Sequence, residues 1–83
     1  MIIHIRCQQV NKRKSVTTIE GFDDDIDVKK ICKAMRKLFA CNGSVQETEN
    51  NLDVILLQGD QRHNTRDFLN RINIADDIIV HGH

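Results

Sequence analysis

The side chains of this sequence that could do chemistry are its four histidines, its three cysteines and a run of acids. None falls at a spacing that such chemistry requires. His81 and His83 stand two apart, so on a strand they share a face, but the ligand spacing of a zinc site is missing around them and around His4 and His63. Asp23, Asp24, Asp25 and Asp27 offer carboxylates, yet the glycine at the sixth position and the bidentate glutamate at the twelfth of a calcium loop are absent. Cys7, Cys32 and Cys41 are odd in number and lack a Cys-x-x-Cys pair, which argues against a disulfide framework and for a reducing compartment. The chain has no glycine-rich phosphate loop, nucleophile elbow or motif pairing a nucleophile with a base. The expectation is a protein with no catalytic residues, no metal and no cofactor.

The charges offer a different kind of chemistry. Twelve basic and twelve acidic side chains sum to a formal charge of zero, but they are segregated. Lys12, Arg13 and Lys14 form one basic cluster, and Lys29, Lys30, Lys33, Arg36 and Lys37 form another with no acid among them. The acids collect at Asp23 to Asp27 and at Glu47, Glu49 and Asp53. A neutral chain with a strongly basic face can steer toward polyanions that its net charge hides. Base stacking is not the expected mode, because Phe22, Phe39 and Phe68 are the only aromatic residues and two of them fall on apolar helical stripes. Electrostatic and shape recognition of structured phosphate remains.

The elements that must carry these charges can be read from periodicity. Ile3, Ile5 and Cys7 alternate with polar residues as on a strand, a β-branched strand follows over 15–20, and Asn11, Lys12, Arg13 and Lys14 form the hairpin loop between them, with Asn11 suited to a positive φ. Val28, Ile31, Cys32, Met35, Leu38 and Phe39 make one helical stripe, with Asp27 as N-cap and Asn42-Gly43 as the left-handed stop; the basic residues take the positions in between. Strands over 44–47 and 52–58 flank a polar loop, and Gly59 with a capping Asp60 leads into a helix over 61–72 that buries Thr65, Phe68, Leu69 and Ile72. Asn73 caps its C-terminus, and Ile78 to Val80 form a last strand. The order ββαββαβ implies an α+β fold, two helices packed on one face of a five-stranded mixed sheet. Eighty-three residues make one domain, 1–83, with a thin aliphatic core. No run approaches a membrane span and no signal peptide precedes the first strand, so the expected location is cytoplasmic.

The stretch Leu57-Gln58-Gly59-Asp60-Gln61-Arg62 stands with Thr17-Thr18, Gly21, Asp24-Asp25, Phe39-Ala40-Cys41-Asn42-Gly43, Asp76-Asp77 and His81-Gly82. In this order and with these gaps, over residues 3–82, the set resembles the globular domain of the eukaryotic translation initiation factor one family. The resemblance implies a non-enzymatic protein that binds the small ribosomal subunit beside the peptidyl site, supports scanning, and gates the seating of initiator tRNA by steric conflict. It implies rRNA contacts through Asn11, Lys12, Arg13 and Lys14 and through Lys29, Lys30, Lys33, Arg36 and Lys37. Gln46, Glu47, Thr48, Glu49, Asn50 and Asn51 would face initiator tRNA, and Gly59, Asp60, Gln61, Arg62 and Gly82 fall on motifs tied to initiation accuracy. Partners implied are small-subunit rRNA, nearby initiator tRNA and initiation factors two, three and five, with the protein itself a monomer. The chain departs from the family pattern at Val10 and Lys12, where an arginine and a glycine are usual, and in a more acidic second loop. The resemblance covers the globular domain, with the expectation of a form that lacks the family's usual N-terminal tail, and His83 stands where the family's terminal phenylalanine is usual. A diverged module of the same fold that binds other initiation factors, or competes with a resident factor, is the alternative expectation.

Overall fold

The computed structural model describes residues 1–82; the expected pairing of His81 with His83 on one strand face therefore lies outside the described residues. Strands β1 (Ile2–Asn11) and β2 (Lys14–Glu20) form the first hairpin, followed by helix α1 (Val28–Phe39), strands β3 (Gly43–Glu47) and β4 (Asp53–Gln58), helix α2 (Arg62–Ile72) and strand β5 (Asp77–Val80). The five strands lie in the order β3-β4-β2-β1-β5. Among the described residues only the β1–β5 pair is parallel; the other neighbours are antiparallel. The sheet is mixed because α2 carries the chain back across one face before β5, the crossover that a parallel neighbour requires.

Strand periodicity puts alternate residues on the helix-facing side. Val80, Ile5, Ile19, Ile55 and Val45 align across all five strands as one aliphatic row. Ile3, Ile5, Ile19, Ile55 and Leu57 from the sheet close against Val28, Cys32 and Met35 of α1 and Leu69 of α2 to form the buried core. Among the described residues no helix is long and apolar enough to cross a membrane.

Three details differ from the pattern in the sequence. Leu38 is 63% exposed: at about 100° per residue it stands about 90° from the centre of the Val28–Cys32–Met35 stripe, so it reaches past the contact with the sheet. Ile72 is 39% exposed, because the left-handed Asn73 turns the chain away immediately after it. Helix α1 stops not at Asn42-Gly43 but at Ala40, which takes φ 52° and donates its N–H to the Arg36 carbonyl. Gly43 serves packing instead: a Cβ there would lie 2.6 Å from Leu57 Cδ2 and 2.7 Å from the Leu56 carbonyl oxygen, so only glycine lets β3 approach β4 this closely.

Strand direction also sorts the charges. The β1–β2 hairpin tip, the turn after β4 and the C-terminal end of α1 gather at one end of the sheet. The β3–β4 loop, the acidic segment before α1, and Asp76 with Asp77 lie at the other.

Candidate nucleic-acid interface

The turn from β4 into α2 is built by β2. Gly59 takes φ +86° and donates its N–H to the Ser15 carbonyl at 2.8 Å. The Thr17 hydroxyl donates to the Gly59 carbonyl at 2.7 Å and accepts from the Gln61 N–H at 2.8 Å. Thr17 is fully buried, so a single hydroxyl satisfies both backbone groups that the sharp turn leaves open. Its sequence signal is a polar residue at a core position of a strand, which must find partners in the fold. Thr17→Val keeps the volume and removes both bonds; it should destabilise the protein by about 2 kcal/mol in urea unfolding, whereas Thr17→Ser should retain most of the stability.

Asp60 does not cap α2 as the sequence suggested. Gln61 occupies the N-cap position without a side-chain cap bond, and its carbonyl accepts from Thr65 N at 2.9 Å. Asp60 stands one residue earlier, and its Oδ1 accepts from the Arg62 backbone N–H at 3.3 Å. The reason is the Arg62 side chain, which claims the carboxylate: Nε donates to Oδ1 at 2.9 Å and Nη2 to Oδ2 at 2.7 Å, while Nη1 donates to the His81 carbonyl at 3.1 Å. These guanidinium bonds hold the Asp60 carboxyl below the usual range, helped by the Arg62 N–H and the Cys7 thiol, and Asp60 in turn raises Arg62. Gln61 donates from Nε2 to the Gln58 carbonyl and accepts from Asn64 Nδ2, which braces the start of the helix from outside.

The basic hairpin closes over this corner. Asn11 does not adopt positive φ; its Oδ1 instead accepts from the Arg13 N–H at 2.9 Å, an Asx-type brace that tightens the turn without a left-handed residue. An irregularity between Gln9 and Asn11 accompanies the turn. Lys12, Arg13 and Lys14 are exposed, and with Cys7, Gln9, Ser15, Asp60 and Arg62 they line an open cleft of about 430 Å³. The structure thus brings together two groups of residues that lie nearly fifty positions apart in the chain.

On α1, Lys29, Lys30, Lys33, Arg36 and Lys37 are all exposed and span an arc of about 120° at helical spacing. Lys29, Lys33 and Arg36 border a groove beside Gly43, Ser44 and Val45 of β3. Gln46 and Glu47 end β3, and the loop of Thr48, Glu49, Asn50 and Asn51 follows, closed by Leu52 N donating to Thr48 Oγ1 and by Asn51 at φ 60°. This loop sits at the opposite end of the sheet from the cleft, so the structure does not join it to the basic hairpin. Among the described residues no three metal-ligating side chains converge. The three cysteines are free, and burial pushes the thiols of Cys32 and Cys41 up, away from reactive thiolate.

The family profile described as Translation initiation factor SUI1 matches residues 1–75 of this chain. The protein belongs to the SUI1 translation initiation factor family. It is 54% identical over 82 residues to eukaryotic translation initiation factor 1 of Homo sapiens, covering 96% of this chain and 73% of that protein. It is 45% identical over 83 residues to eukaryotic translation initiation factor eIF1 of Drosophila melanogaster, covering 98% of this chain and 76% of that protein. A protein translation factor SUI1 homolog of Brassica oleracea is 45% identical over 82 residues. Members of the SUI1 family are initiation factors and not enzymes.

In this SUI1-family chain the far end of the cleft corner is fixed by a histidine pair. His4 Nδ1 and His81 Nε2 are 3.0 Å apart, with ring centroids 5.2 Å apart and planes 24° from parallel. One ring must donate and the other accept, so the contact needs a single proton between them. Burial pushes the His81 pKa down, with Arg6 and then His4 adding to the effect; Arg6 itself pairs with Glu20 across the same face. A depressed pKa means the unfolded chain binds more protons, so stability is complete above the usual histidine value of about 6.5 and falls as pH drops below it. Urea unfolding from pH 8 to 5.5 should show this loss, and His81→Gln should flatten it. Gly82 follows as an exposed residue, with open space around its Cα.

Proposed function

We propose that this protein is a small-subunit-binding initiation factor that supports scanning and start-codon selection by hindering full seating of initiator tRNA beside the peptidyl site. The observation that carries the reading is the basic hairpin cleft, where Lys12, Arg13 and Lys14 stand over the Asp60–Arg62 corner. Family membership and the exposed basic row of α1 support it. Asn11 with the hairpin cations, and Lys29, Lys30, Lys33, Arg36 and Lys37, are the proposed rRNA contacts. The loop from Gln46 to Asn51 lies at the acidic end and would face initiator tRNA, where negative charge resists the approach of phosphate. Gly59, Asp60, Gln61, Arg62 and Gly82 would set accuracy through the shape of the corner. The protein would act as a cytoplasmic monomer, without a cofactor, beside initiation factors two, three and five.

Co-sedimentation with purified small subunits over a salt series tests the binding. Neutralising five phosphates would give a log–log slope of roughly −3.5 to −4.5. A start-codon assay in an initiation system depleted of its own factor tests the role: added protein should restore discrimination against near-cognate codons. Binding to another initiation factor with no binding to subunits at low salt would overturn the reading in favour of a protein-interaction module.

A further inference from the structure

Asp60 poses an electrostatic puzzle, because a carboxylate in a cleft that binds phosphate repels its ligand. Its salt bridge with Arg62 is asymmetric: the Asp60 side chain is 49% exposed, whereas that of Arg62 is only 19% exposed. Both side chains line the cleft, but the acid is the more exposed of the two and the guanidinium the more covered. Arg62 is also fixed in its plane from the far side, since Nη1 donates to the His81 carbonyl at the end of β5. An arginine covered in this way is poorly placed to contact phosphate itself, and well placed to cancel the charge in front of it.

We propose that Arg62 is a positioning residue that neutralises Asp60 and holds it against the cleft wall, so that phosphate can enter beside Lys12, Arg13 and Lys14. This rests on the reading that the cleft binds RNA. The fork geometry matters as well as the charge. A guanidinium can satisfy both carboxylate oxygens and the His81 carbonyl at once, whereas an ammonium is a point donor that cannot hold all three in one plane. The corner thereby ties the turn after β4 to the last strand, and the cleft keeps its shape at no net charge from the pair.

The test is a mutant cycle in the full chain: Arg62→Gln, Asp60→Asn and the double variant, each measured for affinity to purified small subunits at 0.15 M salt. Arg62→Gln leaves Asp60 uncompensated and cancels one cation, so affinity should fall about four- to fivefold. The double variant should return to within about twofold of the unmodified protein. A double variant as weak as Arg62→Gln would overturn the proposal, because it would mean that Arg62 touches RNA directly or only supports the turn. Urea unfolding of each variant separates loss of fold from loss of affinity. A second readout does not depend on the ribosome: the Asp60 carboxyl, followed by carbon NMR, should titrate at higher pH in Arg62→Gln. An unchanged titration would equally overturn the proposal. Should the unmodified protein fail to bind subunits, the functional reading falls, and the titration together with the same cycle on a short RNA duplex at low salt still decides the role of Arg62.

Discussion

Replacing Lys12, Arg13 and Lys14 together by glutamine should weaken binding to the small ribosomal subunit by about 60- to 125-fold at 0.15 M salt. Each cation that neutralises a phosphate releases a counterion, and at this salt each such release contributes roughly four- to fivefold in affinity. Three exposed cations at one hairpin tip make separate contributions that multiply. The fold should be nearly indifferent, because the three side chains are exposed and surface substitutions away from special backbone conformations usually shift stability by no more than about 0.5 kcal/mol. The Asn11 brace uses the Arg13 backbone N–H, so it survives the change of side chain. The salt dependence should become shallower in step, by a slope of about 2 to 3. Unchanged affinity, or lower affinity with an unchanged salt slope, would remove the hairpin from the interface.

Gly21→Ala should cost about 3–4 kcal/mol, the largest stability loss expected from any glycine in the chain. Gly21 adopts φ +105°, where an L side chain is strained, and a Cβ there would lie 2.1 Å from the Ile2 carbonyl oxygen. The next contacts are also backbone, Ile2 C at 3.1 Å and Ile3 Cα at 3.2 Å. These atoms cannot yield easily, since Ile3 is fully buried and Ile2 and Ile3 pair with β5. A domain of this size has a total stability of only about 4–12 kcal/mol, and the melting temperature should fall by about 12–30 °C. Gly59→Ala is the control: φ is also positive, at +86°, but the nearest atom is the flexible Gln61 Nε2 at 3.5 Å. Its cost should be only the backbone term, about 1–2 kcal/mol. Equal losses at both positions would mean that the crowding at Gly21 is relieved elsewhere.

What was legible in the sequence follows from the range over which each signal acts. The alternation in β1 and β2, the stripe of α1 and the Asp27 cap are local, and the structure contains all three, with Asp27 Oδ1 accepting from Lys30 N. The left-handed Asn73 was legible for the same reason. Asp60 was misread because a residue of capping type can be captured by a stronger partner, here a guanidinium two residues away. Ala40 was missed because the local preference for asparagine and glycine in the left-handed region lost to the packing of Gly43 against β4. Thr17 and its two bonds to a turn more than forty residues later could not be derived from local pattern, nor could the contact of His4 with His81. The basic cleft combines both cases: its cations are plain in the sequence, but their meeting with Asp60 and Arg62 is a product of strand order.

The parallel pairing of β1 with β5 has a consequence for the timing of assembly. β1 is an interior strand whose second neighbour comes from a segment far later in the chain, so the outer edge of Ile2 to Ile5 must wait for Asp77 to Val80. Until then a growing chain can form the β1–β2 hairpin and add β4, β3 and α1, but it carries one uncovered strand edge and an unfinished wall behind α2. Such edges invite pairing with other chains, and closing so long a span delays the final step relative to the local hairpins. Folding of this protein should therefore end with the docking of β5 on the free edge of β1, and substitutions in β5 should speed unfolding far more than they slow folding.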